Sequence, residues 1–122
     1  MTTDELKART KSFALQITRL VDVLPNTVKG RAIANQIMRS ATSVAANYRA
    51  ACRARSRDEF IAKIGVVEEE ADETAFWLEL IVESGIHSNE QIHPLLKEAG
   101  ELVAIMAASR KSAIANRQSA IR

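Results

Sequence analysis

Apolar residues recur every three or four positions through almost the whole chain, and three short segments interrupt the pattern. This spacing puts the apolar side chains on one face of an α-helix. The interruptions are Pro25-Asn26-Thr27, the residues just before Arg57, and Gly85; such residues are typical of helix ends and turns. Aromatic residues make up only 4% of the chain, which has two prolines and four glycines. We therefore predict an all-α protein and not a sheet protein.

The predicted helices cover about residues 4–24, 28–54, 57–84 and 89–115, and we expect the tail 116–122 to fray. Thr3 is the predicted N-cap of the first helix. Ser56 and Glu59 match a capping box at the start of the third helix, and Gly85 suits the position after its end. The fourth helix either starts at a second capping box beginning with Ser88 or restarts near Pro94, because proline removes a backbone donor.

Four helices with short connections predict a single domain, residues 1–122, folded as an up-down-up-down antiparallel four-helix bundle. The apolar stripes predict a core built mainly from Leu, Ile and Val. Its expected members include Phe13, Ile17, Ile33, Ile37, Val44, Tyr48, Cys52, Ile64, Val67, Ala71, Leu78, Val82, Leu102 and Met106.

The composition also predicts where the protein works. No apolar stretch approaches the length of about 20 residues that a membrane span needs. Charged residues interrupt the first ten positions, which is unlike a signal peptide. The single cysteine, Cys52, allows no intrachain disulfide and fits a reducing compartment. We expect a cytoplasmic protein without membrane contact.

The net charge of +2 hides a strong asymmetry along the chain. Residues 29–63 carry eight bases and two acids, whereas residues 64–101 carry one base and ten acids. In an up-down bundle the N-terminus, the turn at 54–57 and the C-terminus meet at one end, which would be strongly basic. Clustered bases bind phosphates by releasing counterions. The predicted nucleic-acid-binding residues are Arg49, Arg53, Arg55, Arg57, Arg110 and Lys111; alternatively, these side chains are solvated and pair with nearby acids.

The third predicted helix carries more apolar surface than one core stripe requires. Four of its residues fall on the side away from the core: Val66, Phe76, Trp77 and Leu80. They are the predicted oligomer interface, since tryptophan is enriched at interface cores. A broad buried face against two neighbouring helices is the alternative.

An acidic cluster on the same helix, formed by Glu68, Glu69, Glu70, Asp72 and Glu73, invites a metal interpretation. Metal-binding bundles use Glu-x-x-His pairs, and neither His87 nor His93 follows a glutamate at that spacing. We predict a solvated or subunit-bridging acidic face, with Arg39 placed to pair with it. The polar residues Gln36, Ser40, Ser43 and Asn47 are expected to fix helix packing. The sequence indicates no catalytic residues, no metal and no cofactor.

A family resemblance runs from the end of the first predicted helix to the start of the third. The residues Leu24-Pro25, Gln36-Ile37, Arg39-Ser40-Ala41, Ser43-Val44, Asn47, Arg55-Ser56 and Glu59-Phe60 resemble the bacterial proteins first noticed in intervening sequences of 23S ribosomal RNA genes. The accessory variability protein of diversity-generating retroelements is similar. The resemblance implies a homopentamer of four-helix bundles, and in the retroelement relatives it implies binding to a reverse transcriptase and to nucleic acid. This chain has Arg49-Ala50 where many members have Ala-Glu.

These observations predict a non-enzymatic, homo-oligomeric accessory protein whose basic end binds RNA or DNA, or a nucleic-acid enzyme. The alternative is a protein-binding scaffold that uses the Trp77 face and the acidic cluster without nucleic-acid contact. A bundle enzyme acting on an anionic substrate through converging arginines is a third possibility, but the sequence offers it no general base.

Overall fold

The computed structural model describes the backbone of residues 1–121 and the side chains of residues 1–117. Within this range the chain forms four α-helices and no strand: α1 (Thr3–Val23), α2 (Val28–Ala51), α3 (Arg57–Glu83) and α4 (Asn89–Ile121). The predicted all-α fold is confirmed. None of these helices is long and apolar enough to cross a membrane.

Each helix packs against two others. α2 lies between α1 and α3, and α4 lies between α3 and α1. In the described part of the chain the backbone of α1 does not come close to that of α3, nor the backbone of α2 to that of α4, so these are the diagonal pairs. Phe13, Ile37, Leu78 and Leu102, one from each helix, are completely buried. The stripes with helical spacing therefore meet in one core, as the sequence predicts.

The core differs from the prediction in its details. Val82 and Cys52 are only partly buried, whereas Ile81 and Ile92 are completely buried. Two buried hydroxyls also lie in the contact between α2 and α3, where the Oγ atom of Ser40 and the Oγ1 atom of Thr74 are 2.8 Å apart. Ser40 thus links two helices as predicted, while Asn47 bonds back to Ser43 of its own helix.

The helix starts follow from local side chains. The α1 N-cap is Thr2, whose Oγ1 atom accepts a hydrogen bond from the Glu5 amide at 3.1 Å; the prediction of Thr3 was wrong by one residue. Ser56 caps α3 as predicted, accepting from the Glu59 amide at 3.0 Å. The Glu59 carboxylate reaches past the N-cap and accepts from the Arg55 amide.

The helix ends also differ by a few residues. α2 ends at Ala51 and not near 54, because the amides of Arg53 and Ala54 bond three residues back and tighten the chain into a turn. α4 runs unbroken through Pro94, so the helix starts at Asn89 and does not restart at the proline. It continues to Ile121, past the expected end at 115; residue 122 of the expected frayed tail lies outside the described residues.

Two glycines shape the connections. Gly85 has a φ angle of 75°, and the bonds from Ile86 to the Ile81 carbonyl and from Gly85 to the Val82 carbonyl form the Schellman motif. Gly85 is thus the predicted C′ residue. Glycine is required at position 30 for a different reason. A Cβ atom there would lie 2.1 Å from the Pro25 carbonyl oxygen. The connection between α1 and α2 therefore folds tightly against the first turn of α2.

Candidate nucleic-acid interface

Residues from all four helices meet at one end of the molecule. A cavity of about 380 Å³ there is lined by the start of α1, the end of α2, the start of α3 and Ser109 of α4. Its walls include Leu6, Tyr48, Cys52 and Phe60. We call this region the basic end. Its cations are Arg9, Arg49, Arg53, Arg55, Arg57, Arg110, Lys111 and Arg117.

Three cations associated with the basic end are held by acids of the same molecule. Arg9 donates from Nε and Nη2 to the two carboxylate oxygens of Glu98, at 2.7 and 2.6 Å, and also pairs with Glu101 at 2.9 Å. These hydrogen bonds, Glu98 first, raise the pKa of the Arg9 guanidinium above its ordinary value. Arg117 pairs with Asp58 at 2.7 Å.

Arg110, one of the predicted nucleic-acid-binding residues, is the third. Its Nε atom lies 3.0 Å from Oε1 of Glu68, and its stem passes 3.9 Å from the position a Cβ would take at Gly65. A Cβ at Gly65 would therefore be in ordinary van der Waals contact with the Arg110 stem. The Arg110 charge is therefore offset within the bundle, which makes it the weakest candidate of the predicted set.

The other predicted cations face solvent. Arg49, Arg53, Arg55, Arg57 and Lys111 are all exposed, and no acid side chain among the described residues lies within ion-pair distance of them. An unpaired exposed cation keeps its full charge for a ligand. The structure thus leaves five of the six predicted residues available for anions.

Two grooves run along the exposed side of α2. The α1–α2 groove encloses about 600 Å³, and its lining contains no acid: Lys7, Ala8, Lys11, Ala14, Leu15, Thr18, Thr42, Ala45, Ala46, Arg49 and Arg53. The α2–α3 groove encloses about 400 Å³ and adds Arg55 and Lys63 to the same two arginines, together with one acid, Glu59. Ala46, Arg49 and Arg53 line both grooves, so the two arginines stand on the boundary between them.

Sequence reasoning did not single out Leu15 or Lys63. Leu15 is 46% exposed in the α1–α2 groove, and Lys63 joins the α2–α3 groove from the second turn of α3. The sequence did contain a signal that Leu15 is exposed, because it is an apolar residue outside the apolar stripe of its helix. Lys63 carries no such signal, since its neighbourhood depends on how α3 is placed against α2.

The acidic cluster of α3 is mostly occupied by arginines. Arg39 pairs with Glu70 at 3.2 Å and also with Glu73, which confirms its predicted partner. Glu68 is held by Arg110. Among the described residues no three metal-ligating side chains converge. Glu69 and Asp72 remain exposed without an ion pair in the described structure.

The predicted oligomer interface divides into two parts. Val66 is 37% exposed and Phe76 is 52% exposed. Trp77 and Leu80 are only partly exposed and pack against the core, so the expectation that all four point away from it was too broad. Trp77 also donates to Glu73 at 3.3 Å and meets the Phe76 ring edge to face, with centroids 4.9 Å apart. The Trp77 ring is therefore fixed, and Phe76 forms the apolar surface above it.

Tyr48 and Cys52 lie at the inner wall of the basic end. Tyr48 is 5% exposed, which agrees with its predicted core position. Burial, followed by the neighbouring Cys52 thiol, raises the pKa of Tyr48 to about 12. The phenol is thus neutral and buried, and no aromatic ring among the described residues lines the two grooves that contain Arg49 and Arg53. This surface suits phosphates and not stacked bases.

Comparison with known proteins agrees with the fold. The sequence model of a family described as 23S rRNA-intervening sequence protein matches residues 4–108 of this chain. The chain belongs to this family. The resemblance seen between Leu24 and Phe60 is confirmed, and the matched range covers α1, α2, α3 and most of α4.

A solved structure extends the comparison to three dimensions. It is a Bacteroides thetaiotaomicron VPI-5482 protein of unknown function from the S23 ribosomal protein family, with 33% sequence identity and a TM-score of 0.84. The match covers 91% of this chain and 99% of that one. No curated protein matches the chain. Neither the family description nor the solved structure names an enzymatic activity.

Proposed function

We propose that this family member is a non-enzymatic accessory protein that assembles with copies of itself and binds the backbone of RNA or DNA through its basic end. The observation that carries the proposal is the division of the cations. Arg9, Arg110 and Arg117 are paired with acids of the same molecule, whereas Arg49, Arg53, Arg55, Arg57 and Lys111 are exposed without acidic partners in the described structure. The charges of this second group are therefore available to an anionic ligand.

Cross-helix contacts support the up-down-up-down arrangement on which this end depends. Lys29, near the start of α2, reaches the Ser84 carbonyl at the end of α3, and Ser40 contacts Thr74 halfway along both helices. These pairs fit an antiparallel α2 and α3. We propose the same alternation for all four helices, a homopentamer as the family resemblance implies, and a cytoplasmic location.

A salt series tests phosphate binding. The affinity of the purified protein for a structured RNA hairpin and for a DNA duplex is measured across salt concentrations, for the wild type and for the pair Arg55→Glu and Arg57→Glu. Each lost phosphate contact lowers the slope of log affinity against log salt by about 0.9 for duplex DNA. The variant should therefore bind much more weakly, with a slope smaller by about 2.

A matched control uses two exposed arginines near the α1–α2 connection. The pair Arg19→Glu and Arg31→Glu makes the same change in net charge away from the basic end, and it should leave the slope near the wild-type value. Equal decreases in affinity and in salt slope for both variants would mean that binding depends only on net charge. Negligible wild-type binding at about 50 mM salt, which favours phosphate contacts, would overturn the proposal.

The contacts of α3 disfavour the scaffold alternative in its predicted form. Glu68, Glu70 and Glu73 are engaged by arginines of the same chain, so most of the acidic cluster is not free to receive a partner. A nucleic-acid enzyme such as a reverse transcriptase, which the family resemblance implies for some relatives, remains compatible with the proposal, since such a partner would bring nucleic acid to the basic end.

A further inference from the structure

The outer face of α3 is both acidic and apolar. Val66, Glu69, Asp72, Phe76, Glu79 and Glu83 are exposed at helical spacing, and we call them the α3 ridge. None of its four acids forms an ion pair in the described structure. The ridge is thus an amphipathic helix face whose acids have no ion-pair partner among the described residues and whose apolar residues Val66 and Phe76 stay exposed, although one edge of Phe76 meets Trp77.

The α1–α2 groove has the opposite character. Four cations, Lys7, Lys11, Arg49 and Arg53, surround a floor of alanines and the exposed Leu15, and its lining has no acid. A phosphate backbone would use the cations but not the apolar floor. An amphipathic helix with acids beside its apolar residues uses both, which is the usual form of helix-in-groove recognition. The alanine floor lets a helix approach closely.

We propose that the α1–α2 groove of one copy receives the α3 ridge of a second copy. The complementarity has two parts. Unpaired acids of the ridge meet the groove bases Lys11, Arg49 and Arg53, which form no ion pair in the described structure, and Lys7, which pairs only with the exposed Asp4 at 3.5 Å. Val66 and Phe76 meet Leu15 and the alanines. Lys7 to Thr18 spans about 16 Å of α1 at the helical rise per residue. The part of the ridge from Val66 to Glu79 spans about 20 Å, so this part matches the groove and Glu83 lies beyond its end. The inference rests on the self-association proposed above.

The positions of the two surfaces fix the type of contact. α1 and α3 are diagonal helices, so the ridge faces away from the groove on the same molecule. The contact is therefore heterologous, with each copy offering its ridge to one neighbour and its groove to the other. Such contacts close into a ring or continue as a filament. They cannot form a two-fold dimer, in which both copies would use the same patch.

The contact also narrows the phosphate-binding surface. Arg49 and Arg53 would pair with acids of the neighbouring ridge. The cations left for nucleic acid in the assembly are then Arg55, Arg57, Lys63 and Lys111. Assembly and phosphate binding therefore depend on different arginines.

Charge exchange tests the contact. The groove variant carries Lys11→Glu, Arg49→Glu and Arg53→Glu, and the ridge variant carries Glu69→Lys, Asp72→Lys and Glu79→Lys. All six side chains are exposed, so the fold should persist, as checked by circular dichroism. Light scattering after size exclusion should show each variant at the monomer mass of 13.4 kDa. The chain carrying all six changes should assemble again.

A control variant and a salt measurement complete the test. Arg19→Glu, Lys29→Glu and Arg31→Glu make the same charge change as the groove variant outside both surfaces and should leave the assembly intact. The wild-type assembly should also dissociate more readily as salt rises, because exposed ion pairs are screened. The salt measurement uses the wild type alone, so it still tests the contact if a triple variant does not fold.

The outcomes separate this contact from the proposed function. If the wild type assembles but both triple variants keep its mass, or the sixfold variant stays monomeric, the contact is wrong and self-association stands. A wild type that is monomeric at every concentration overturns the contact and the proposed self-association together. Nucleic-acid binding is judged independently by the pair Arg55→Glu and Arg57→Glu, which lies outside the groove.

Discussion

Burial raises the pKa of Tyr48 to about 12, which connects one side chain to the stability of the whole bundle at high pH. In the unfolded chain the phenol ionises near pH 10. The unfolded state therefore binds fewer protons than the folded state between the two values, and stability falls as pH rises through that window. Tyr48 should contribute roughly 2 kcal/mol below pH 10 that is lost by about pH 12.

The measurement is direct because the chain has one tyrosine. Phenolate absorbance of the folded protein should show a midpoint near 12. Urea unfolding of Tyr48→Phe should show a flatter pH dependence than the wild type above about pH 9, since only the phenol has been removed. A wild-type midpoint near the ordinary value would mean that the ring is hydrated at the basic end.

Residue-level contacts also show where sequence reasoning stops. The pairing of Arg39 with the acidic cluster could be predicted because the two lie at matching heights on adjacent helices. The pairing of Arg110 with Glu68 was missed, since it requires the register between α3 and α4. Apolar periodicity fixes which face of a helix is buried. It leaves open how far one helix slides along the next.

At the scale of helices, the two glycines Gly30 and Gly100 predict opposite responses to alanine. A Cβ at Gly30 would meet the Pro25 carbonyl oxygen at 2.1 Å and the Thr27 hydroxyl at 3.0 Å, so Gly30→Ala must displace the α1–α2 connection. Overpacking of this kind typically costs about 1–3 kcal/mol. At Gly100 nothing lies within 4 Å, and alanine should stabilise α4 by up to about 1 kcal/mol.

Chemical denaturation of both variants checks this pair. A lower unfolding midpoint for Gly30→Ala together with a higher midpoint for Gly100→Ala is the expected result. A neutral Gly30→Ala would show that the connection can move away from α2 at little cost. Because both changes add one methyl group to a helical glycine, the comparison removes the general effect of helix propensity.

Helix ends were predictable where the signal is local. Ser56 and Gly85 cap α3 through atoms within five residues of themselves, so the sequence contains the whole motif. The early end of α2 and the requirement for Gly30 depend on how the chain reverses direction, and no short pattern encodes that. The candidate site could be predicted only in part for the same reason. The exposed arginines were evident in the sequence, whereas the α1–α2 groove exists only once α1 is placed beside α2.

At the scale of the whole molecule, self-association should strengthen nucleic-acid binding without adding a contact to any one copy. An assembly that repeats the basic end can present several sets of cations to one RNA, and the salt slope counts the phosphates neutralised together. The pair Val66→Ser and Phe76→Ser removes the apolar part of the α3 ridge and changes no charge. It should give the monomer and lower the slope towards that of a single copy.

Comparing this pair with Arg55→Glu and Arg57→Glu distinguishes the loss of assembly from the loss of phosphate contacts. The serine pair should lose assembly and part of the salt slope while each copy keeps its cations; the arginine pair should keep assembly and lose phosphate contacts. Scattering mass and the salt series, measured on the same samples, check both expectations. A monomeric serine variant with the full wild-type slope would show that one basic end binds alone and that assembly serves another purpose. If instead slope and mass fall together, the phosphate-binding unit is the assembly, and the unpaired cations of each copy are parts of one larger surface.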